Sequence, residues 1–311
     1  MNVVVLAGGF GGARMAHGFA LLDDVVEPVV MVNTADDLEL HGLHISPDLD
    51  TVMYTLAGLG NTETGWGVRD ETWSATDLLA RYGEPTWFRL GDRDLATHIV
   101  RTARLRAGAS LTEATAELAA ALGVRARLLP MTDDRVRTML RTADGWLDFQ
   151  DYFVRRHHDD DVAEVRFDGV ESARPTDAVI AALESAELVV VAPSNPFVSV
   201  APILALEGVA HALRSGPARV VAVSPIIGGA SVRGPAAALL RSLAGERGSA
   251  GVARHYSRVQ PGLIDVFVID HADAAEADAV RGAGFTVAVE QTMLAAEADR
   301  RALASRLIEL A

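Results

Sequence analysis

Two groups of residues have types and spacings suited to chemistry. Gly8, Gly9, Gly11 and Gly12 follow the apolar run Val3 to Ala7 directly, and Asp36, Asp37, Asp48 and Asp50 follow the next apolar run, Pro28 to Val32. Glycine lets a backbone approach a ligand closely, and the unpaired N–H groups at a helix start favour an anion. Carboxylate oxygens suit magnesium, which commonly joins one or two of them to substrate phosphates. Together the two groups read as a phosphate site facing a metal or a base. Within Ile45-Ser-Pro-Asp-Leu-Asp50, an extended backbone would aim Asp48 and Asp50 the same way. The dinucleotide fingerprint G-x-G-x-x-G fails, because Arg14 holds its third glycine position after Gly9 and Gly11. The turn therefore reads as phosphate-binding and not as nicotinamide-binding.

Other clusters carry alternatives. In Arg89-Leu-Gly-Asp92-Arg93-Asp94, a flat guanidinium could clamp a phosphate or stack on a planar ring, although the same spacing also makes routine surface pairs. His98 is read as structural. His41 and His44 are three apart, but Gly42 and Pro47 argue against a regular helix there, so no zinc site is assigned. His157 to Asp161 reads as a solvated loop. Pro193-Ser-Asn-Pro196 and Ser224-Pro-Ile-Ile-Gly-Gly229 end strands with small or backbone-exposing residues that could line a nucleotide. No serine sits in a G-x-S-x-G elbow, which leaves hydrolase chemistry without support. The absence of cysteine removes disulfides, thiolate nucleophiles and sulfur-ligated metals. All 28 basic residues are arginine, which excludes a Walker lysine and Schiff-base chemistry.

These residues need elements to position them. After the glycines, Met15, Phe19 and Leu22 recur at helical spacing, so the glycines sit on a strand-to-helix turn. The distance to Pro28–Val32 fits a right-handed βαβ unit. Leu188 to Ala192, Arg219 to Val223, Ile264 to Ile269 and Phe285 to Val289 read as further buried strands between alanine-rich helices. The expectation is a Rossmann-like α/β fold: a mostly parallel sheet with helices on both faces, and ligands beyond the C-terminal strand ends where strand order reverses. An inserted helical and hairpin region around residues 55–175 carries a capping-box pattern at Ser110 and Glu113. There Asp144-Gly145 separates alternating stretches at Val136 to Thr142 and Trp146 to Val154. No linker divides residues 1–311, so a single elaborated domain is expected. A net charge of −14 argues against nucleic-acid binding. No apolar run reaches the length of a membrane span, and a cytoplasmic protein is expected.

In order along the chain, eight segments resemble the 2-phospho-L-lactate transferase family of coenzyme F-420 biosynthesis, which includes bacterial phosphoenolpyruvate transferases. They are Gly8-Gly9-x-Gly11, Asn33 to Asp37, Ile45 to Thr51, Leu90 to Asp94, Leu129 to Asp134, Asp148 to Tyr152, Pro193 to Pro196 and Ser224 to Gly228. The resemblance implies transfer of a three-carbon phospho-acid from a guanosine-diphosphate-linked donor to the terminal hydroxyl of the deazaflavin precursor Fo, with release of GMP. It carries deazaflavin binding onto Asp50 and Arg89. Binding of the donor falls to the glycine turn, Asn33, Ser194, Asn195 and the Ser224 to Gly229 segment. Mg2+ is expected on Asp48 or Asp50 together with Asp36 or Asp37, with Asp48 or Asp50 as the candidate proton acceptor. The resemblance also implies a homodimer. Its alanine- and arginine-rich, lysine-free composition points to the enolpyruvyl donor of high-GC bacterial members over the lactyl one. The competing reading is a sugar-nucleotide-binding regulator of cell-wall metabolism that shares the glycine turn and the α/β core.

Overall fold

The computed structural model describes residues 1–311 except Asp24 and Val26. Seven strands form the main sheet: β1 (Val3–Ala7), β2 (Val29–Val32), β3 (Arg127–Pro130), β4 (Leu188–Val191), β5 (Arg219–Val223), β6 (Val266–Asp270) and β7 (Thr286–Glu290). Their spatial order is β7-β6-β5-β4-β1-β2-β3, and every neighbouring pair is parallel. Chain order runs outward in both directions from β1 and β4, so the topological switch point lies between these two strands.

Side chains on successive strand residues point to opposite faces, and the strands bury both. Val4, Leu6, Val189, Val191, Phe267 and Ile269 enter one apolar core with Val179, Leu183, Leu239 and Tyr256 from helices on that side. Val3, Val5, Leu188, Val190, Val266 and Val268 enter another with Met15, Phe19, Leu49, Val52, Leu303 and Leu307. A sheet covered on both faces explains why the strands are continuous apolar runs and not alternating ones. The expected α/β architecture is the one observed.

Local readings were sharpened in three places. Strand β3 lies inside the 55–175 stretch, so this stretch supplies an edge of the main sheet besides its own helices and hairpin. It is only four residues long and ends in Pro130, which an edge position tolerates because one side of the strand has no ladder to complete. Arg137–Thr142 and Gly145–Asp148 do form an antiparallel hairpin, joined by Glu164–Asp168 as a third strand. The expected second arm does not reach Val154: after Asp148 the chain turns into a π-helical segment, Asp151–Arg155, that buries Tyr152 and stacks Phe149 on Phe153 at 5.4 Å. Finally, the capping box is present, with the Ser110 side chain accepting from the Glu113 N–H. Among the described residues no single helix is long and apolar enough to cross a membrane.

Candidate active site

A cavity of about 630 Å³ opens at the switch point. From one side comes the turn after β1, which leads into helix Gly9–Ala20; from the other comes the Pro193–Asn195 turn after β4. The two turns interlock. Ser194 Oγ accepts from Gly8 N–H at 3.2 Å and donates to Gly8 O at 2.8 Å. A Cβ on Gly11 would overlap the Pro193 carbonyl, and one on Gly8 would lie 2.5 Å from Ser199 Cβ. Glycine is required here by close backbone approach. The turn also holds an anion already, because Gly9 N–H donates to Asp48 Oδ1 at 2.7 Å. The expectation of free N–H groups at this helix start is corrected accordingly for Gly8 and Gly9.

The segment Ile45–Asp50 is not extended. Pro47 begins a helix, Pro47–Leu56, a position proline favours because its missing N–H would be unpaired anyway. Two helical residues are separated by about 200°, so Asp48 and Asp50 diverge. Asp48 turns to the glycine turn and to Asn33, whose Nδ2 donates at 3.0 Å both to Asp48 Oδ2 and to Asp36 Oδ2. The other Asp36 oxygen is buried without a hydrogen-bond partner. Burial, then the Asp48 charge, pushes the Asp36 carboxyl well above the usual range. Burial likewise raises Asp48, to about 6. Gln150 Nε2 pins the segment by donating to Asp36 O at 3.0 Å.

Asp50 faces a second helix, Asp92–Arg106, whose Asp94, His98 and Arg101 recur at i, i+4 and i+7. Arg101 engages both Asp50 oxygens, through Nη1 to Oδ2 at 3.0 Å and through Nη2 to Oδ1. Asp94 Oδ1 accepts from Tyr54 OH at 2.7 Å and lies 3.3 Å from His98 Nε2. Burial works against the Asp94 charge, yet His98 and Tyr54 hold its carboxyl below the usual range. Of the alternatives expected for a metal, Asp48 lies with Asp36, both on the Asn33 amide, while Asp50 faces the second helix. Asp37 belongs to a different pocket, accepting from Ser46 Oγ at 2.7 Å beside His44 Nε2 at 3.0 Å. Among the described residues, Asp50, Asp94 and His98 are the one trio of acidic and histidine side chains whose ligand atoms lie within 4.8 Å of one another. Arg101, itself 1% exposed, supplies positive charge against Asp50.

Part of the cavity lining is aromatic. Trp66, Trp87, Phe88, Phe149 and Phe153 line it with Arg89, whose guanidinium lies 4.2 Å over the Trp73 ring. The expected ring-stacking role for Arg89 has a protein ring as its present partner. On the glycine-turn side, Arg14 and Arg233 flank Phe10 at 3.8 and 4.6 Å from its centroid. Asn195 Oδ1 accepts from Phe197 N–H at 2.9 Å, and its buried Nδ2 has no partner. Ser224 shares a hydrogen with Ser249 Oγ at 2.8 Å.

All of the sequence-derived site residues line this cavity except Gly12, Asn33, Asp37 and Gly228. Asn33 acts from behind as the donor bridging Asp36 and Asp48, Gly12 packs against Ala7, and Gly228 supplies a φ of +59° to the loop after β5. Sequence reading missed Tyr54, Arg101, Phe10, Arg14 and Arg233 and took His98 as structural, although His98 also forms cavity wall. The signal for His98 and Arg101 was their helical spacing with Asp94. His41 and Gly42 form the tight turn of the hairpin Leu38–Leu40/Leu43–Ile45, with φ of 52° and 70°, in keeping with the doubt about a helix there.

Comparison with known proteins shows the family and the fold. The chain is 45% identical to a phosphoenolpyruvate transferase of Kitasatospora aureofaciens over 91% of its length and 89% of the relative's. It is 43% identical to a phosphoenolpyruvate transferase of Streptomyces griseus, covering 100% of this chain and 98% of that one. A 2-phospho-L-lactate transferase of Methanosarcina acetivorans is 38% identical, with 99% and 98% covered. A crystal structure of a UPF0052 family member from Bacillus halodurans shares the fold, with a TM-score of 0.66 at 14% identity over 99% of this chain and 98% of that one. The family profile described as 2-phospho-L-lactate transferase CofD matches residues 3–308, and the chain belongs to that family of transferases.

Proposed function

We propose that this chain transfers a phosphoenolpyruvyl group from a guanosine-diphosphate-linked donor to the terminal hydroxyl of Fo. The hydroxyl oxygen attacks the phosphorus that carries the three-carbon acid, the bond from that phosphorus to the bridging oxygen breaks, and GMP leaves with the bridging oxygen. The hydroxyl proton passes to solvent by way of the carboxylate that accepts the hydroxyl's hydrogen bond. The observation that carries this reading is the make-up of one cavity. The Asp36 and Asp48 carboxylates and the glycine turn line it together with Trp66, Trp87, Phe88, Phe149 and Phe153, aromatic rings suited to a planar tricyclic ligand. Phosphoryl transfer depends on positioning and charge neutralisation more than on a covalent nucleophile, and this chain offers neither cysteine nor lysine.

Asp36 and Asp48 fit a divalent cation. Two carboxylates share one amide donor, one carboxylate oxygen is buried without a partner, and both groups are pushed up towards the neutral form. Magnesium on this pair would relieve their repulsion and neutralise charge on the diphosphate. This narrows the ligand set to Asp36 and Asp48 and gives Asp50 another part: fixed by Arg101, it accepts a hydrogen bond from the acceptor and orients its hydroxyl. Arg89 contributes to the acceptor end, while Ser194, Asn195 Nδ2 and Ser224 face the donor.

The enolpyruvyl form of the donor is favoured by the relatives' names. The bacterial transferases at 43–45% identity carry the phosphoenolpyruvate name, and the archaeal one at 38% carries the phospholactate name. Each donor should be incubated separately with Fo, magnesium and the purified chain, with GMP followed by chromatography and the product by mass. The expected result is GMP release, fastest with the enolpyruvyl donor. Tight binding of a sugar nucleotide with no GMP from either donor would instead establish the regulator.

A further inference from the structure

Arg101 meets the reaction cavity from behind, gripping Asp50 with two nitrogens and touching His98 at 3.4 Å. It is 1% exposed, sits behind the wall, and is absent from the cavity lining, whereas its partner Asp50 is part of that lining. Both guanidinium nitrogens of the fork reach Asp50, one to each carboxylate oxygen. Such two-point pairing fixes the plane of a carboxylate as well as its charge. His98 Nδ1 stands 3.4 Å from Arg101 Nη1 and 3.6 Å from Asp50 Oδ2, closing the remaining side.

A buried ion pair is a poor device for stability alone, because desolvating two charges offsets most of their attraction. Here the cost is compounded, since Arg101 Nε is buried without a partner. Apolar side chains at both positions would pack the interface between helices Pro47–Leu56 and Asp92–Arg106 without that penalty. The pair makes physical sense if the orientation of Asp50 matters to a ligand. Burial disfavours the charged guanidinium, and Asp50 offsets that cost.

We propose that Arg101 is a positioning residue for the acceptor: it locks the Asp50 carboxylate, charged and at one angle, against the part of the cavity that receives the hydroxyl-bearing substrate. The inference rests on the acceptor role given to Asp50 above. Arg101 itself does not line the cavity, so its effect on the acceptor passes through the side chains it touches, chiefly Asp50, which it grips at both oxygens.

A double-mutant cycle tests this, using Fo binding at equilibrium and steady-state kinetics for both substrates. Arg101→Lys keeps the charge but replaces a fork with a single point. It should fold and weaken Fo binding by about tenfold, the loss of one charged hydrogen bond, with the donor KM unchanged. Arg101→Met alone leaves a carboxylate buried and unpaired and can cost the fold, so the cycle is completed with Asp50→Asn/Arg101→Met, which removes both charges together. The double variant should bind Fo within about threefold of Asp50→Asn alone, since coupled residues are not additive. The inference is overturned if Arg101→Lys binds Fo like wild type, if it raises both KM values equally, or if the double variant loses much more than Asp50→Asn. These outcomes are separate from failure of the transferase reading: wild type that neither binds Fo nor releases GMP removes the acceptor itself, and this inference with it.

Discussion

Replacing Gly11 with alanine should damage the site far more than the fold. Gly11 lies in the first turn of helix Gly9–Ala20, where its missing Cβ lets the Pro193 carbonyl approach. Alanine is favoured over glycine in a helix by about 1 kcal/mol. Against this, a methyl group forced into packed surroundings costs about 1–3 kcal/mol, and the obstacle here is a backbone carbonyl that cannot rotate away. The net loss of stability is at most about 2 kcal/mol, which for a chain of this size lowers Tm by about 3 °C. The catalytic consequence is larger. Relieving the overlap requires the glycine turn and the Pro193–Asn195 turn to part by roughly 1 Å, and a misplacement of that size can cost about 100-fold in rate. Gly18→Ala is the matched control: its Cβ would meet the Arg300 carbonyl two turns further along the same helix, and Gly18 does not line the cavity. Tm by calorimetry and GMP release should be measured for both. Gly11→Ala should lose turnover while Gly18→Ala loses only a few degrees. A folded Gly11→Ala protein with near-wild-type turnover, or equal turnover losses in both variants, would refute the idea that the interlocked turns set the donor's position.

Metal removal should stop GMP release, and magnesium should restore it in wild type but only weakly in Asp48→Asn; full turnover in verified metal-free buffer would dismiss the Asp36–Asp48 cation. Asp50→Asn should weaken Fo binding and lower kcat/KM for Fo by about 10- to 100-fold, the scale of a charged hydrogen bond, and wild-type kinetics in the folded variant would remove its role. Arg89→Ala should weaken Fo binding by about two- to fivefold, the worth of an exposed cation–π contact, and leave the donor KM alone; an unchanged Fo affinity would exclude the contact. His255, 9% exposed and 4.3 Å from the Phe197 ring, is pushed down to about 4 by burial and then by Arg258. A depressed histidine stays neutral in the native state while the unfolded chain takes a proton near pH 6.5, so stability is full above that pH and falls between pH 6.5 and 4. Denaturant titrations at pH 7 and 4.5 should show a loss of up to ~3 kcal/mol from this group that His255→Phe abolishes; an identical loss in the variant would show that the acid sensitivity lies elsewhere.

Much of this protein was determined locally. The glycine turn between an apolar run and a helical pattern, the buried strands, and the Ser110–Glu113 cap all depend on neighbours a few residues apart. Local physics also places the turn after β1 and the turn after β4 at strand ends, so Gly8, Gly9, Gly11, Ser194 and Asn195 could be named in advance. Strand β3 was hidden because an edge strand of four residues needs a partner, β2, far away in sequence to be worth forming. The fate of the four aspartates was likewise a tertiary matter. Pro47 could have been read as a helix start, which separates Asp48 from Asp50, but nothing local specifies that Asn33 will bridge Asp36 to Asp48 or that Arg101 will take Asp50. A carboxylate's chemistry is set by which charges and donors lie within a few ångströms and by how much water is excluded. Those quantities exist only once helices Pro47–Leu56 and Asp92–Arg106 have packed, which is why the sequence could offer Asp36, Asp37, Asp48 and Asp50 as equals and the folded chain sorts them into a bridged pair, an arginine-bound carboxylate and one in a separate pocket.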